Sequence, residues 1–183
     1  MIIEFEGKCP QIGENVFIAP NATIIGDVII GDNSNVWFGA VIRGDNGPIR
    51  IGKGCSIQDN AVVHVAKSDS GEVLPTIIGD YVTLGHNISM EACTIGDRTV
   101  IGMNAVVLPH AEVGSDVMIA AGSVVREGQQ IEDKVLVAGV PAKVKGPISE
   151  NVQQIINRNA PGYVDLQARY RKQGIDKLPL EHN

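Results

Sequence analysis

The chain has 183 residues, 44% of them apolar but only 4% aromatic, with 21 glycines. This length fits one domain with a small appendage, and the core has to be built from Val, Ile and Ala rather than from rings. A net charge of −6, with no basic run, argues against nucleic acid or an anionic membrane surface as a partner.

The N-terminal MIIEFEGKCP carries acids where a signal peptide has basic residues, and no apolar run reaches membrane-spanning length, so a cytoplasmic location is expected. Cys9, Cys55 and Cys93 are far apart and form no CxxC, which points to free, reduced thiols. Residues 1–16 are expected to be a lead-in strand covering one end of the fold. From Ile18 a six-residue rhythm begins: Ile18, Ile24, Ile30, Val36 and Ile42. A three-residue insertion at 46–48 precedes Ile51, Ile57 and Val63. An excursion at 66–76 leads to Ile78, Leu84 and Met90. One residue is then dropped, and Ile95, Ile101, Val107, Val113, Ile119, Val125, Ile131 and Val137 follow. The fourth position after each is mostly small or branched, as at Ala22, Ala40, Ala61 and Ala105.

A period of six fits neither a 3.6-residue helix nor simple alternation. It fits short strands and tight turns wound into a parallel β-helix, three hexapeptides to each triangular coil. The pattern resembles the hexapeptide-repeat family, which implies a left-handed winding and a homotrimer. Residues 139–147, GVPAKVKGP, read as a linker leaving the solenoid. Ser149 is placed to cap a helix, with Val152, Ile155 and Ile156 on one face, continued by Tyr163, Leu166 and Tyr170. Pro161 is expected to kink or restart it. The expected organisation is an all-β solenoid over 1–147, a C-terminal α-helix over 148–175 packed along it, and a flexible tail over 176–183.

The register also places polar residues. Arg43, His64 and Glu91 each follow the first residue of a segment on one face, so they should stack in successive coils. Asp59 and His86 each lie two residues into a segment of another face, with Gln58 one residue in. Two faces of one triangle cannot converge. In a threefold trimer, however, His64 and Glu91 can meet His86 of the partner subunit, giving three sites. Two imidazoles and a carboxylate suit Zn²⁺, or another divalent ion such as Fe²⁺ or Co²⁺, with a position left for water. His110 and His182 gain no such partners.

The segments VWFGAVIRGD (36–45), IGKGCSIQDNAVVH (51–64), IGDYVTLGH (78–86), ACTIGDRTVIGMNAVVL (92–108) and GVPAK (139–143) together resemble the gamma-class carbonic anhydrase family, over about residues 10–172. That resemblance implies a lyase interconverting CO₂ and bicarbonate. It implies that His64 and His86 are metal ligands from different subunits. Gln58 matches a residue that hydrogen-bonds metal-bound water or hydroxide. Arg43 and Asp59 match an ion pair between subunits, with Asp45 in the same network. The chain departs from the pattern at Glu91, which stands where the family usually has a third imidazole. Asn46 stands where the prototype has an acid, and Asp69 and Glu72 lie in the loop comparable to the one bearing the family's proton shuttle. Glu91 can be a ligand, can turn away, or can act as acid or base on another substrate. Three functions stay open: a metal-dependent carbonic anhydrase, a hexapeptide-repeat acyltransferase or CoA-thioester hydrolase, and a catalytically silent metal-binding trimer.

Overall fold

The structure, a computed structural model, describes residues 1–68 and 70–177. Short parallel strands wind into a three-faced solenoid whose coils pair directly with those before and after. One face runs through Val41–Ile51, Val62–His64, Ser89–Glu91, Val106–Val107 and Val124–Val125. The second passes through Thr76–Ile78, Thr94–Ile95, Glu112–Val113 and Gln130–Ile131. The third is an eight-stranded sheet from Phe17–Ile18 to Lys143–Pro147. Every rhythmic aliphatic except Ile18 is buried, with at most 5% of its surface exposed. Ile18 lies in the first full coil and is half-buried against the core. The small residues at the other repeated position are buried as well.

The corners follow from local chemistry. Asn33, Asn60, Asn87 and Asn104 take positive φ there, a conformation Asn tolerates better than most side chains. The Gly that follows the aliphatic is required by close stacking: a Cβ on Gly31 would lie 2.6 Å from the carbonyl carbon of Gly52. The Asp two residues after the aliphatic ties coils together. Asp32 accepts from the Glu14 backbone N–H at 2.7 Å, Asp97 from Asp80 at 2.8 Å, and Asp133 from Ser115 at 2.7 Å.

The interruptions do not disturb the register. The insertion at 46–48 is absorbed within the single strand Val41–Ile51, opposite an irregularity at Gly26–Val28. The 66–76 excursion is an antiparallel hairpin, Ala66–Lys67 with Val73–Leu74, and Ile78 then pairs with Ile51. The two ends differ from expectation. Residues 1–16 already wind as a coil: Ile2–Ile3 pairs with Ile24–Ile25, and Gln11–Ile12 with Ile29–Ile30. At the far end 139–147 is more than a linker. Lys143–Pro147 folds back antiparallel on Val135–Ala138 and pairs the last exposed strand edge.

The C-terminal helix α1 (Glu150–Lys172) is capped by Ser149, whose Oγ accepts from the Val152 N–H at 3.3 Å. Arg169, Arg171 and Lys172 sit in its last turn, where the helix dipole favours cations. The helix runs through Pro161 as one span. Its inner face is Ile156, Ala160, Tyr163, Gln167 and Tyr170, while Ile155 faces outward. The expected Val152–Ile155–Ile156 face is thus rotated, because the third sheet presents aromatic rings. Trp37 meets Tyr163 at 5.6 Å and Tyr170 at 5.0 Å between centroids, both edge-on. Buried Gln167 is satisfied by the Phe17 N–H and the Asn33 carbonyl. A 3₁₀ turn at Ile175–Lys177 follows α1. The rest of the expected tail, 178–183, lies outside the described residues. Among those described, no helix is long and apolar enough to cross a membrane.

Two predictions arise here. Asp116 takes both forks of Arg98, at 2.9 and 2.8 Å, and a third hydrogen bond from Gln153 of α1. Arg98 in particular holds its carboxyl below the usual range. A depressed folded-state pKa contributes stability above the unfolded value of about 3.9, and that contribution is lost as pH falls through the folded value. Asp116→Asn should therefore lower Tm at neutral pH, with the difference narrowing below about pH 4. Equal differences at all pH values would refute this. Separately, burial pushes the Cys55 and Cys93 thiols up to about 12, whereas Cys9 is exposed. A thiol reagent at mild pH should label only Cys9 in the native protein and all three cysteines after unfolding.

Candidate metal centre

The strand register decides where the candidate residues lie. Arg43 pairs with His64, and His64 with Glu91, so the three form one column on the first face. Ser56–Ile57 pairs with Thr83–Leu84 on the third face, which brings Asp59 beside His86 one turn further along. These are the two columns expected from the hexapeptide count. The excursion closes on itself as a hairpin, so it neither adds nor removes a face.

Each imidazole has a carboxylate of its own. His86 Nδ1 lies 2.7 Å from Asp59 Oδ2, within ion-pair distance, on the side of the ring away from Nε2. The other Asp59 oxygen accepts from the Phe38 backbone N–H at 3.2 Å, which anchors the carboxylate. His64 contacts Asp45 Oδ1 through Nε2 at 3.0 Å and Glu91 Oε1 through Nδ1 at 3.1 Å. Arg43 also pairs with Asp45. Burial works against ionisation of Asp45, but the bonds from His64 and Arg43 outweigh it and hold its carboxyl below the usual range. Within one chain Arg43 therefore bonds Asp45 and Asp59 lies against His86; an Arg43–Asp59 pair needs two chains, since the two sit on different faces.

This donor set fits a divalent cation. An imidazole that gives one N–H to a carboxylate and keeps the other nitrogen for a metal is the usual outer-shell arrangement of ligating histidines. His86 has Asp59 placed for that arrangement, 2.7 Å from Nδ1. His64 has it with Asp45 once Glu91 releases Nδ1. Glu91 is the freer partner, with its side chain 44% exposed against 15% for Asp45. Among the described residues, no three His, Cys, Asp or Glu side chains of one chain are arranged to hold a metal.

Gln58 is 5% exposed and lines a groove of about 270 Å³ with His86, Thr83, Asn159 and Tyr163. Burial first, and the Asp59 charge second, raise the Tyr163 hydroxyl above its ordinary pKa. Sequence reading missed Asn159 altogether and treated Tyr163 as packing only. Their i,i+4 spacing on one helix face was the available signal. Glu72 is exposed at the hairpin, and Asp69 lies outside the described residues.

A parallel solenoid of hexapeptides with imidazoles and carboxylates on two faces defines a hexapeptide-repeat protein. The bacterial transferase hexapeptide family (six repeats) matches residues 9–44 and 92–127. The mitochondrial gamma carbonic anhydrase 2 of Arabidopsis thaliana is 42% identical over 160 residues, 87% of this chain and 58% of that protein. A carbonic anhydrase of Geobacillus kaustophilus is 38% identical over 171 residues, 93% of this chain and 91% of the relative. A solved structure of a hexapeptide transferase family protein from Anaplasma phagocytophilum superposes with a TM-score of 0.87 at 37% identity, covering 93% of this chain and 98% of that one. The chain thus belongs to the gamma carbonic anhydrase family within the hexapeptide-repeat proteins. It spans 58% and 62% of the length of two plant relatives, both named mitochondrial.

Proposed function

We propose that this chain assembles as a homotrimer, holds a divalent metal at each subunit junction, and interconverts CO₂ and bicarbonate. The observation that carries this reading is the split site. His64 with Glu91 and His86 occupy different faces, and each imidazole is backed by its own carboxylate. His64, Glu91 and His86 of the partner subunit are the residues that would hold the ion. When bound, zinc, iron(II) or cobalt(II) supplies the Lewis acidity that activates water near neutral pH.

The protein's own groups do the rest. Asp59, 2.7 Å from His86 Nδ1, is placed to orient that ring, and Asp45 orients His64 through Nε2. The Arg43 guanidinium neutralises Asp45 within the chain, and across the junction its second edge is available to Asp59. Gln58 sits beside His86 and orients water and CO₂ through its amide.

Metal analysis, light scattering and a CO₂-hydration assay on one preparation test this reading. The expected results are a mass three times 19.4 kDa, about one metal per chain, and measurable hydration. Coenzyme A binding by metal-free protein without hydration would instead support an acyltransferase or thioester hydrolase. A metal-loaded trimer inactive on CO₂ would support a silent metal-binding role.

A further inference from the structure

Beneath α1 lies a column of polar side chains that the proposed metal site does not use. Asn35 pairs with Ser56, and Ser56 with Thr83, on successive coils of the third face. The column is apolar on both sides: Phe17 precedes Asn35 and Val100 follows Thr83. Asn35, Ser56 and Thr83 are each at most 1% exposed. The Trp37 indole N–H donates to Asn35 Oδ1 at 2.6 Å. Asn35 Nδ2, Ser56 Oγ and Thr83 Oγ1, however, are buried with no hydrogen-bond partner among the described residues. Three stacked polar groups of this kind are costly unless something satisfies them.

The adjoining outward positions explain what has room to do so. Along the strands they are Trp37, Gln58, Gly85 and Gly102. Neither glycine can carry a side chain: a Cβ on Gly85 would lie 2.7 Å from the Met103 nitrogen, and one on Gly102 2.5 Å from the Ala121 nitrogen. Beyond Gln58 the two glycines leave their own positions bare, Val100, Met103 and Ala121 border the groove, and α1 roofs it with Asn159 and Tyr163. The resulting groove has about 270 Å³ and joins Thr83 to Gln58 and His86. At roughly 30 Å³ per molecule, this is space for several waters. Gln58, Thr83, Asn159 and Tyr163 offer neutral donors and acceptors around the His86 imidazole. Val100, Ile101, Met103 and Ala121 are apolar, and among the described residues no Asp, Glu, Lys or Arg lines the groove, which suits water better than an ion.

We infer that this groove is a built water site, in which ordered waters bond the Ser56 and Thr83 hydroxyls and bridge them to the Gln58 amide. Ser56 and Thr83 are then positioning residues for Gln58, and α1 is the roof that keeps the waters in place. The role of Gln58 rests on the function proposed above. That reaction, CO₂ + H₂O to HCO₃⁻ + H⁺, consumes one water per turnover, and the groove opens beside the residues that would use it.

The test uses the metal-loaded full chain with Thr83→Val, Ser56→Ala and the conservative Thr83→Ser. A high-resolution crystal structure of the wild type should resolve waters within hydrogen-bond distance of Thr83 Oγ1 and Ser56 Oγ. Thr83→Val and Ser56→Ala should lower Tm, since an unsatisfied hydroxyl would be neutral or favourable to remove. They should also reduce kcat by about 10-fold at unchanged metal content, and Thr83→Ser should recover it. A dry groove, or a Tm that rises in Thr83→Val, overturns the water site whatever the activity. Lowered Tm with unchanged kcat overturns the positioning role. A wild type that binds metal but leaves CO₂ unchanged, yet shows the waters and the Tm loss, overturns the function while the water site stands.

Discussion

His86→Ala should strip the metal from an otherwise folded trimer and reduce CO₂ hydration by about 10³-fold or more, the scale of several kcal/mol of lost Lewis-acid stabilisation. His64→Ala should do the same, although in one chain the two rings sit on different faces. Both side chains are on the solenoid surface, each on one contact column, so neither change opens a core cavity. The decisive form of the experiment mixes the two variants. In the proposed trimer a junction would take His64 from one subunit and His86 from the next. A trimer of His64→Ala chains has no intact junction, nor has a trimer of His86→Ala chains. A mixed trimer regains one junction in which both imidazoles are native. Co-refolded variants should therefore recover metal and activity that neither recovers alone. Absence of recovery, with mixed trimers demonstrated by mass, would falsify a site shared between subunits.

Glu91→His carries the second large effect. A carboxylate ligand lends negative charge to the ion and weakens it as a Lewis acid, whereas a neutral imidazole leaves the full charge to act on water. The substitution should raise the hydration rate near neutral pH by roughly 10-fold and move the rising limb of the pH–rate profile to lower pH. It also removes the 3.1 Å contact that Glu91 makes with His64 Nδ1, so that nitrogen becomes free. With Glu91 as a ligand of the proposed site, Glu91→Ala should retain metal less tightly than either, because two protein ligands would be left. An unchanged pH–rate profile in Glu91→His, at full metal occupancy, would show that Glu91 is not a ligand.

Much of this was readable in the chain itself because a solenoid converts sequence distance into position. Residues one coil apart are neighbours, so counting sixes placed Arg43, His64 and Glu91 in one column and Asp59 with His86 in another. The count survived two interruptions for a physical reason. The 66–76 excursion pairs with itself as a hairpin, and the 46–48 insertion is taken up inside one strand. The count failed where contacts do not follow the period. Residues 1–16 precede the rhythm, yet Ile2–Ile3 and Gln11–Ile12 pair with the following coil. The inner face of α1 follows Trp37 and Phe17 rather than its own most apolar stripe. The bond between His64 and Asp45 depends on how the strand turns the corner after Arg43, which no spacing rule describes.

The amino-acid sequence by itself determined the solenoid and the two columns of candidate ligands, because each hexapeptide needs only its neighbours one coil away to bury its aliphatic. Tertiary structure alone decided which carboxylate holds which imidazole, how the ends of the solenoid are sealed, and that α1 roofs a groove beside Gln58. Those outcomes depend on side-chain direction and on packing between elements as far apart in sequence as Phe17 and Gln167, where no periodic rule reaches.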